Sequence, residues 1–176
     1  MIKDYGFKGD LFILGGVRKN MAVSPFIYYK TEDLEEYAKA KKIFQKVRFA
    51  GLVPKEDMNT LMDLAKCFVS ISLYEGFGLP ALEAMTAGTP SVLSNLGAYP
   101  EIADGAALFV YPYGPNRIAH ALNEVLTNSQ LREKMIKKGK EKAKNFDRIE
   151  IAKRVLDIYK EVYDDYKIPF ESEKEK

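Results

Sequence analysis

Apolar and polar positions follow two rhythms along this chain. Short apolar runs read as strands at Leu11–Leu14, Phe26–Tyr29, Val47–Ala50, Phe68–Ser72, Ser91–Leu93 and Ala107–Val110. Between them, stretches with apolar residues three and four apart read as helices at about 32–45, 55–66, 79–87 and 116–126. Gly51, Gly88 and Gly105 stand at the joins, where residues that tolerate positive φ belong. Strand and crossover helix in succession predict an α/β fold, a Rossmann-like open parallel sheet with helices on both faces. After Ser129 the strands stop. Residues 129–166 read as two extra C-terminal helices, the second carrying Ile149, Ala152, Val155, Leu156, Tyr159 and Val162 on one stripe. An apolar stripe of that kind is expected to cover something. Residues 1–166 are expected to form one domain, with 167–176 a charged tail.

Composition narrows the function. A chain of 176 residues, 47% hydrophobic and 30% charged, can bury one sizeable core. With 27 Lys and Arg against 25 Asp and Glu, the net charge of +2 argues against nucleic acid as a partner. One cysteine, Cys67, excludes an internal disulfide and any cysteine-clustered metal site, and makes a reducing cytoplasm the expected location. No apolar run is long enough to span a bilayer, so membrane contact is expected to be peripheral at most. The lysines from Lys134 to Lys144 read as a solvated helix face, with an anionic membrane surface as the other reading. Glutamine appears only at Gln45 and Gln130 amid abundant Lys, Glu, Tyr and Ile, a bias seen in heat-adapted proteins.

The candidate chemistry lies in SLYEGFGLPALEAMTAGTP, from Ser72 to Pro90. Gly76 and Gly78 favour a loop, and Pro80 suits a helix's first turn but not its interior. A strand therefore ends before Glu75, a helix begins near Leu79, and Glu83 falls at about the end of the first helical turn. Both carboxylates are expected to face one crevice at the carboxyl end of a parallel strand, where open α/β folds bind ligands. N–H groups around Gly76 to Leu79 and the positive end of the helix dipole suit a phosphate. Carboxylates beside a phosphate site suit hydroxyl donors, because one carboxylate accepts two at once. A phosphate flanked by polyols is a nucleotide sugar. Cys67 and His120 are expected to be structural.

These residues resemble a family. Glu75 and Glu83 with GFGLP between them, followed by EAMTAGTPSVLSNLGAYPEIADGAALFV, are similar to the C-terminal, donor-binding domain of retaining family 4 glycosyltransferases, one half of a GT-B architecture. The resemblance runs from about Val47 to Val110, and more loosely through the terminal helices. It implies that Glu83 grips the nucleotide ribose and that Glu75 contacts the donor sugar near its reacting carbon. It also implies that the backbone at Gly76, Phe77, Gly78 and Leu79 meets sugar and diphosphate. The donor would be a UDP-, GDP- or ADP-hexose. The leaving diphosphate would be stabilised by helix dipole and basic side chains, with no metal or other cofactor required and with retention at the anomeric carbon. Glu101 falls on a segment that the family turns beside the donor pocket, although Pro-Glu is also an ordinary helix start.

The family's first strand ends in glycine followed by an Arg and a Lys that bind the diphosphate. Gly15, Gly16, Arg18 and Lys19 fit that pattern, but only Met21 to Pro25 separates Asn20 from the next apolar run, too little for a parallel crossover. The preferred register makes 1–6 the tail of the first helix and LFILGG the second strand. The domain is then N-terminally incomplete, and Arg18 and Lys19 are secondary candidates. The resemblance implies an acceptor-binding N-terminal domain or subunit beyond this chain, so the chain alone is expected to bind donor and transfer little. Two other classes stay open. One is a non-catalytic nucleotide-sugar module. The other is a dinucleotide-dependent oxidoreductase, against which LGGVRKN lacks G-x-G-x-x-G.

Overall fold

A computed structural model of the chain describes residues 6–15 and 31–166. Within them five strands and seven α-helices alternate: β1 (Leu11–Leu14), α1 (Thr31–Ala40), β2 (Val47–Gly51), α2 (Lys55–Leu64), β3 (Phe68–Ser70), α3 (Leu79–Ala87), β4 (Ser91–Ser94), α4 (Tyr99–Ala103), β5 (Ala107–Val110), α5 (Pro115–Thr127), α6 (Ser129–Ala143) and α7 (Arg148–Tyr166). The expected strand at Phe26–Tyr29, the candidates Arg18 and Lys19, and the charged tail lie outside the described residues. Every described pairing is parallel, as the α/β reading requires. The strands form two sheets, β1-β2 and β3-β4-β5.

The second sheet carries the core. β4 pairs with both neighbours and is buried at all four positions. Its side chains alternate between two apolar layers, the signature of a strand covered on both faces. Leu93 joins Ala81, Met85, Tyr99, Ile102, Ala103 and Ala106 on the α3/α4 side. Val92 joins Val110, Ala121, Val125 and Met135 on the α5/α6 side. At roughly 25 cal/mol per Å² of apolar area removed from water, these two layers are the main stabilising contribution to this half.

α6 ties the layers together. Gly139 lets it approach α3, since a Cβ there would lie 3.3 Å from Met85 Cγ. The lysine run has a structural use that neither expected reading supplied. Lys140 lies across Gly88, the left-handed C-cap of α3, and Lys138 lies across Gly105, just beyond α4. Lys142 Nζ donates to the Glu101 carbonyl at 3.2 Å. Cations near helix C-termini oppose the negative end of the dipole.

Several boundaries differ from the sequence reading. The first described helix ends at Ala40, because the chain turns through Lys42 at φ 56 into a 3-10 turn at Phe44–Lys46. β3 stops at Ser70, two residues early, since only Phe68 to Ser70 find partners on β4. Tyr99–Ala103 forms a helix too short for periodicity to reveal. The apolar stripe expected on α7 is present but uncovered. Among the described residues nothing buries it: Leu156 is 52% exposed and Tyr159 68%.

Candidate functional site

The site is built where β3 hands over to α3. α3 opens on Gly78, whose φ of 88° and ψ of 37° lie in the left-handed region. Gly78 is buried, and a Cβ there would meet Tyr99 Cε1 at 3.0 Å and Cδ1 at 3.1 Å, so conformation and space both demand glycine. Pro80 occupies the first turn, where its missing N–H leaves nothing unpaired. No side chain caps this helix. Among the described residues, none accepts from the N–H groups of Phe77, Gly78 or Leu79. Unpaired donors and the positive end of the dipole therefore lie together at the opening of α3. Gly76 lies open, with no heavy atom within 4 Å of a built Cβ.

The two glutamates differ in how they are held. Glu75 is half-buried on the loop, and Tyr99 donates to its Oε2 at 3.5 Å. Its main chain is clamped by the segment after β4. Ala98 N–H donates to the Glu75 carbonyl at 3.1 Å, and at Gly97 (φ 63°) an added Cβ would lie 2.8 Å from Glu75 N and O. Glu83 is half-buried in α3, and no hydrogen bond or ion pair to it is seen among the described residues. It is the fifth helical residue, just past the first turn, where complementing the dipole is worth little. A half-buried carboxylate with no protein partner there is available to an outside donor.

The other candidates fall as follows. Phe77 is 46% exposed and meets Phe146 edge-on, with ring centroids 5.9 Å apart. Leu79 is exposed at the start of α3. Glu101 is in α4 rather than on a loop, with its side chain exposed and its carbonyl held by Lys142. His120 is exposed on α5, where with Asn95, Arg117 and Glu124 it lines a surface cavity of about 360 Å³. That cavity includes neither Glu75 nor Glu83. The glutamate loop is open surface, and enclosure alone does not mark a site. Burial pushes the Cys67 thiol up to about 12, with Arg132 and a backbone hydrogen bond opposing, which makes it inert.

The residue that sequence reasoning missed is Tyr99. It immediately precedes Pro-Glu on the segment that carries Glu101, is fully buried, and touches both Glu75 and Gly78. The available signal was a large aromatic immediately before Pro-Glu in an otherwise small and polar segment.

Comparison with known proteins bears on the family and the fold. The profile of the family described as "Glycosyl transferases group 1" matches residues 28–142. O-antigen chain mannosyltransferase B of Escherichia coli is 37% identical over 114 residues, which cover 65% of this chain and 30% of that protein. An uncharacterized glycosyltransferase of Methanocaldococcus jannaschii is 35% identical over 130 residues, 72% of this chain and 33% of its own length. The chain thus spans about a third of these relatives. Sucrose-phosphate synthase from Thermosynechococcus elongatus superposes with a TM-score of 0.72 at 26% identity, over 88% of this chain and 39% of that one. HepE of Anabaena, solved in complex with UDP-glucose, shares the fold with a TM-score of 0.75 at 18% identity, over 86% of this chain and 41% of its own.

Proposed function

This chain belongs to the group 1 glycosyl transferases, and we propose that it is the C-terminal, donor-binding half of a retaining family 4 enzyme acting on a nucleoside diphosphate hexose. The observation that carries the reading is the uncapped N-terminus of α3, with open space at Gly76 and one half-buried acid on either side of the turn. In this reading the diphosphate meets the N–H groups of Phe77, Gly78 and Leu79. Glu83 accepts from the ribose hydroxyls, and Glu75 accepts from the sugar. During transfer the bond from anomeric carbon to phosphate oxygen breaks and a bond to the acceptor oxygen forms, the acceptor hydroxyl's proton passing to the leaving diphosphate oxygen. Charge then develops on the leaving diphosphate, where fixed donors and a helix dipole stabilise the transition state more than the ground state. The reading assigns no step to a metal. HepE offers a precedent for this fold holding UDP-glucose.

The acceptor belongs to the other half. The relatives are about three times as long as the matched region, and α7 presents Val155, Leu156, Ile158 and Tyr159 exposed, a surface suited to docking that half. Alone, the chain is expected to bind donor and transfer little. A non-catalytic nucleotide-sugar module, which would keep the same site without the transfer chemistry, is the second reading.

Thermal shift with UDP, GDP and ADP, their hexose conjugates and NAD tests the proposal. A binder at a hundred times its Kd stabilises by about 2.7 kcal/mol. The expected result is that one diphosphate family binds, that Glu83→Ala weakens diphosphate and conjugate alike, and that Glu75→Ala weakens mainly the conjugate. Tight NAD binding indifferent to both substitutions would overturn the reading in favour of an oxidoreductase. Donor binding with no transfer, even when a relative's N-terminal half is supplied, favours the non-catalytic module.

A further inference from the structure

Tyr99 is fully buried in an apolar layer with Ala81, Met85, Leu93, Ile102, Ala103 and Ala106. Phenylalanine would fill that volume equally well. A hydroxyl buried among such neighbours costs free energy unless it is hydrogen-bonded, so its partners show what it is for. There are two. Ser70 Oγ lies 2.5 Å from the phenol oxygen, at the end of β3, and Glu75 Oε2 lies 3.5 Å away.

The chemistry of these groups sets the direction of the protons. An ionised carboxylate only accepts, so a phenol proton given to Glu75 leaves the Ser70 hydroxyl, which also lies 3.5 Å from Ser72 Oγ, to donate to the phenol oxygen. Ser70, Tyr99 and Glu75 form a relay that runs out of the sheet and ends on a carboxylate. Hydrogen bonds in such a chain polarise one another. The same segment grips the Glu75 main chain through Ala98 and Gly97, and the Tyr99 ring lies under Gly78. One buried side chain therefore contacts both the acid and the glycine that opens α3.

We propose that Tyr99 is a positioning residue of the donor site, whose hydroxyl holds one oxygen of Glu75 so that the other faces the sugar of the bound donor. The proposal rests on the donor-site reading of Glu75. A glutamate free to change rotamer must be ordered when the sugar arrives, whereas one already tethered loses less entropy on binding. The nucleotide part, assigned to Glu83 and the α3 N-terminus, does not depend on this tether. Tyr99 therefore discriminates between nucleoside diphosphate and its sugar conjugate.

The test uses the whole chain, with Tyr99→Phe as the variant, because it removes one oxygen and keeps the ring. Calorimetric titration with UDP and UDP-glucose, and with GDP and GDP-mannose, gives the ratio of conjugate to diphosphate affinity. For whichever pair binds, Tyr99→Phe should leave the diphosphate Kd within about twofold and weaken the conjugate roughly five- to tenfold, the range of one hydrogen bond. In a Glu75→Ala background the same substitution should change nothing further. Equal weakening of both ligands, no weakening of either, or full additivity with Glu75→Ala would overturn the proposal, while leaving the donor site intact. A second measurement needs no ligand. The Cζ resonance of carbon-13-labelled Tyr99, assigned by its loss in Tyr99→Phe, should move in Glu75→Gln; a resonance that stays put shows no such contact and overturns the proposal. A wild-type chain that binds none of UDP, GDP, ADP and their hexose conjugates removes the donor-site reading itself, and the proposal with it.

Discussion

Gly78→Ala separates backbone geometry from side-chain chemistry at the opening of α3. The residue sits at φ 88°, where a Cβ crowds the following carbonyl. Its Cβ would also lie 3.0 Å from a Tyr99 ring that is fully buried and tied by its hydroxyl to Ser70, so the ring cannot swing aside. The left-handed conformation costs ~1–2 kcal/mol and overpacking a further ~1–3 kcal/mol, a total of about 2–5 kcal/mol. For a chain of this size each kcal/mol lowers Tm by roughly 2–4 °C, so a fall of at least ~4 °C is expected. Urea unfolding followed by far-ultraviolet circular dichroism measures the free energy. Gly76→Ala is the internal control, because Gly76 has neither a positive φ nor a neighbour within 4 Å, and it should change stability by less than ~0.5 kcal/mol. Adding Tyr99→Leu to Gly78→Ala should recover the packing part and leave the dihedral part. A loss below ~1 kcal/mol for Gly78→Ala, or one equal to that of Gly76→Ala, would refute the claim that a left-handed glycine sets the start of this helix.

Three further predictions concern the rest of the molecule. Thr89 is buried and its hydroxyl donates to the Met62 carbonyl at 2.5 Å, joining α2 to the end of α3; that carbonyl keeps the Ala65 N–H as a second partner, so Thr89→Val should cost ~0.5–1.5 kcal/mol in urea unfolding, the loss of one hydrogen bond. Burial raises the Cys67 thiol from 9.0 to about 12, so its contribution is complete below pH 9 and is lost as pH rises towards 12, where the unfolded thiol ionises and the folded one does not. Stability of wild type relative to Cys67→Ala should decline across that window, and a flat difference would contradict it. Leu156→Ser and Tyr159→Ser on α7 should each leave the unfolding free energy in urea within ~0.5 kcal/mol of wild type, since both side chains are more than half exposed; a larger loss would mean that α7 packs on this half after all.

Much of the fold was legible because its cues are local. β1, β2, β4, β5, α2, α3 and α5 emerged near their expected places from side-chain period and glycine punctuation. The candidate site was legible for the same reason: Gly78 and Pro80 dictate loop then helix within a few residues, and Glu75 and Glu83 are carried on either side. Less legible were elements whose limits depend on a distant partner. β3 ends where β4 ceases to pair with it, and α4 is too short to show a period.

The sequence by itself determined the alternation of strand and helix, the turn that opens α3 and the residue types around it. Only the tertiary structure decided that the Tyr99 hydroxyl reaches a carboxylate 24 residues away, that lysines of α6 lie across the glycines ending α3 and α4, and that the apolar stripe of α7 meets no described neighbour. The division has one physical cause. Propensity, period and turn chemistry act between residues close in the chain, whereas hydrogen-bond partners and buried faces depend on which segments packing brings together.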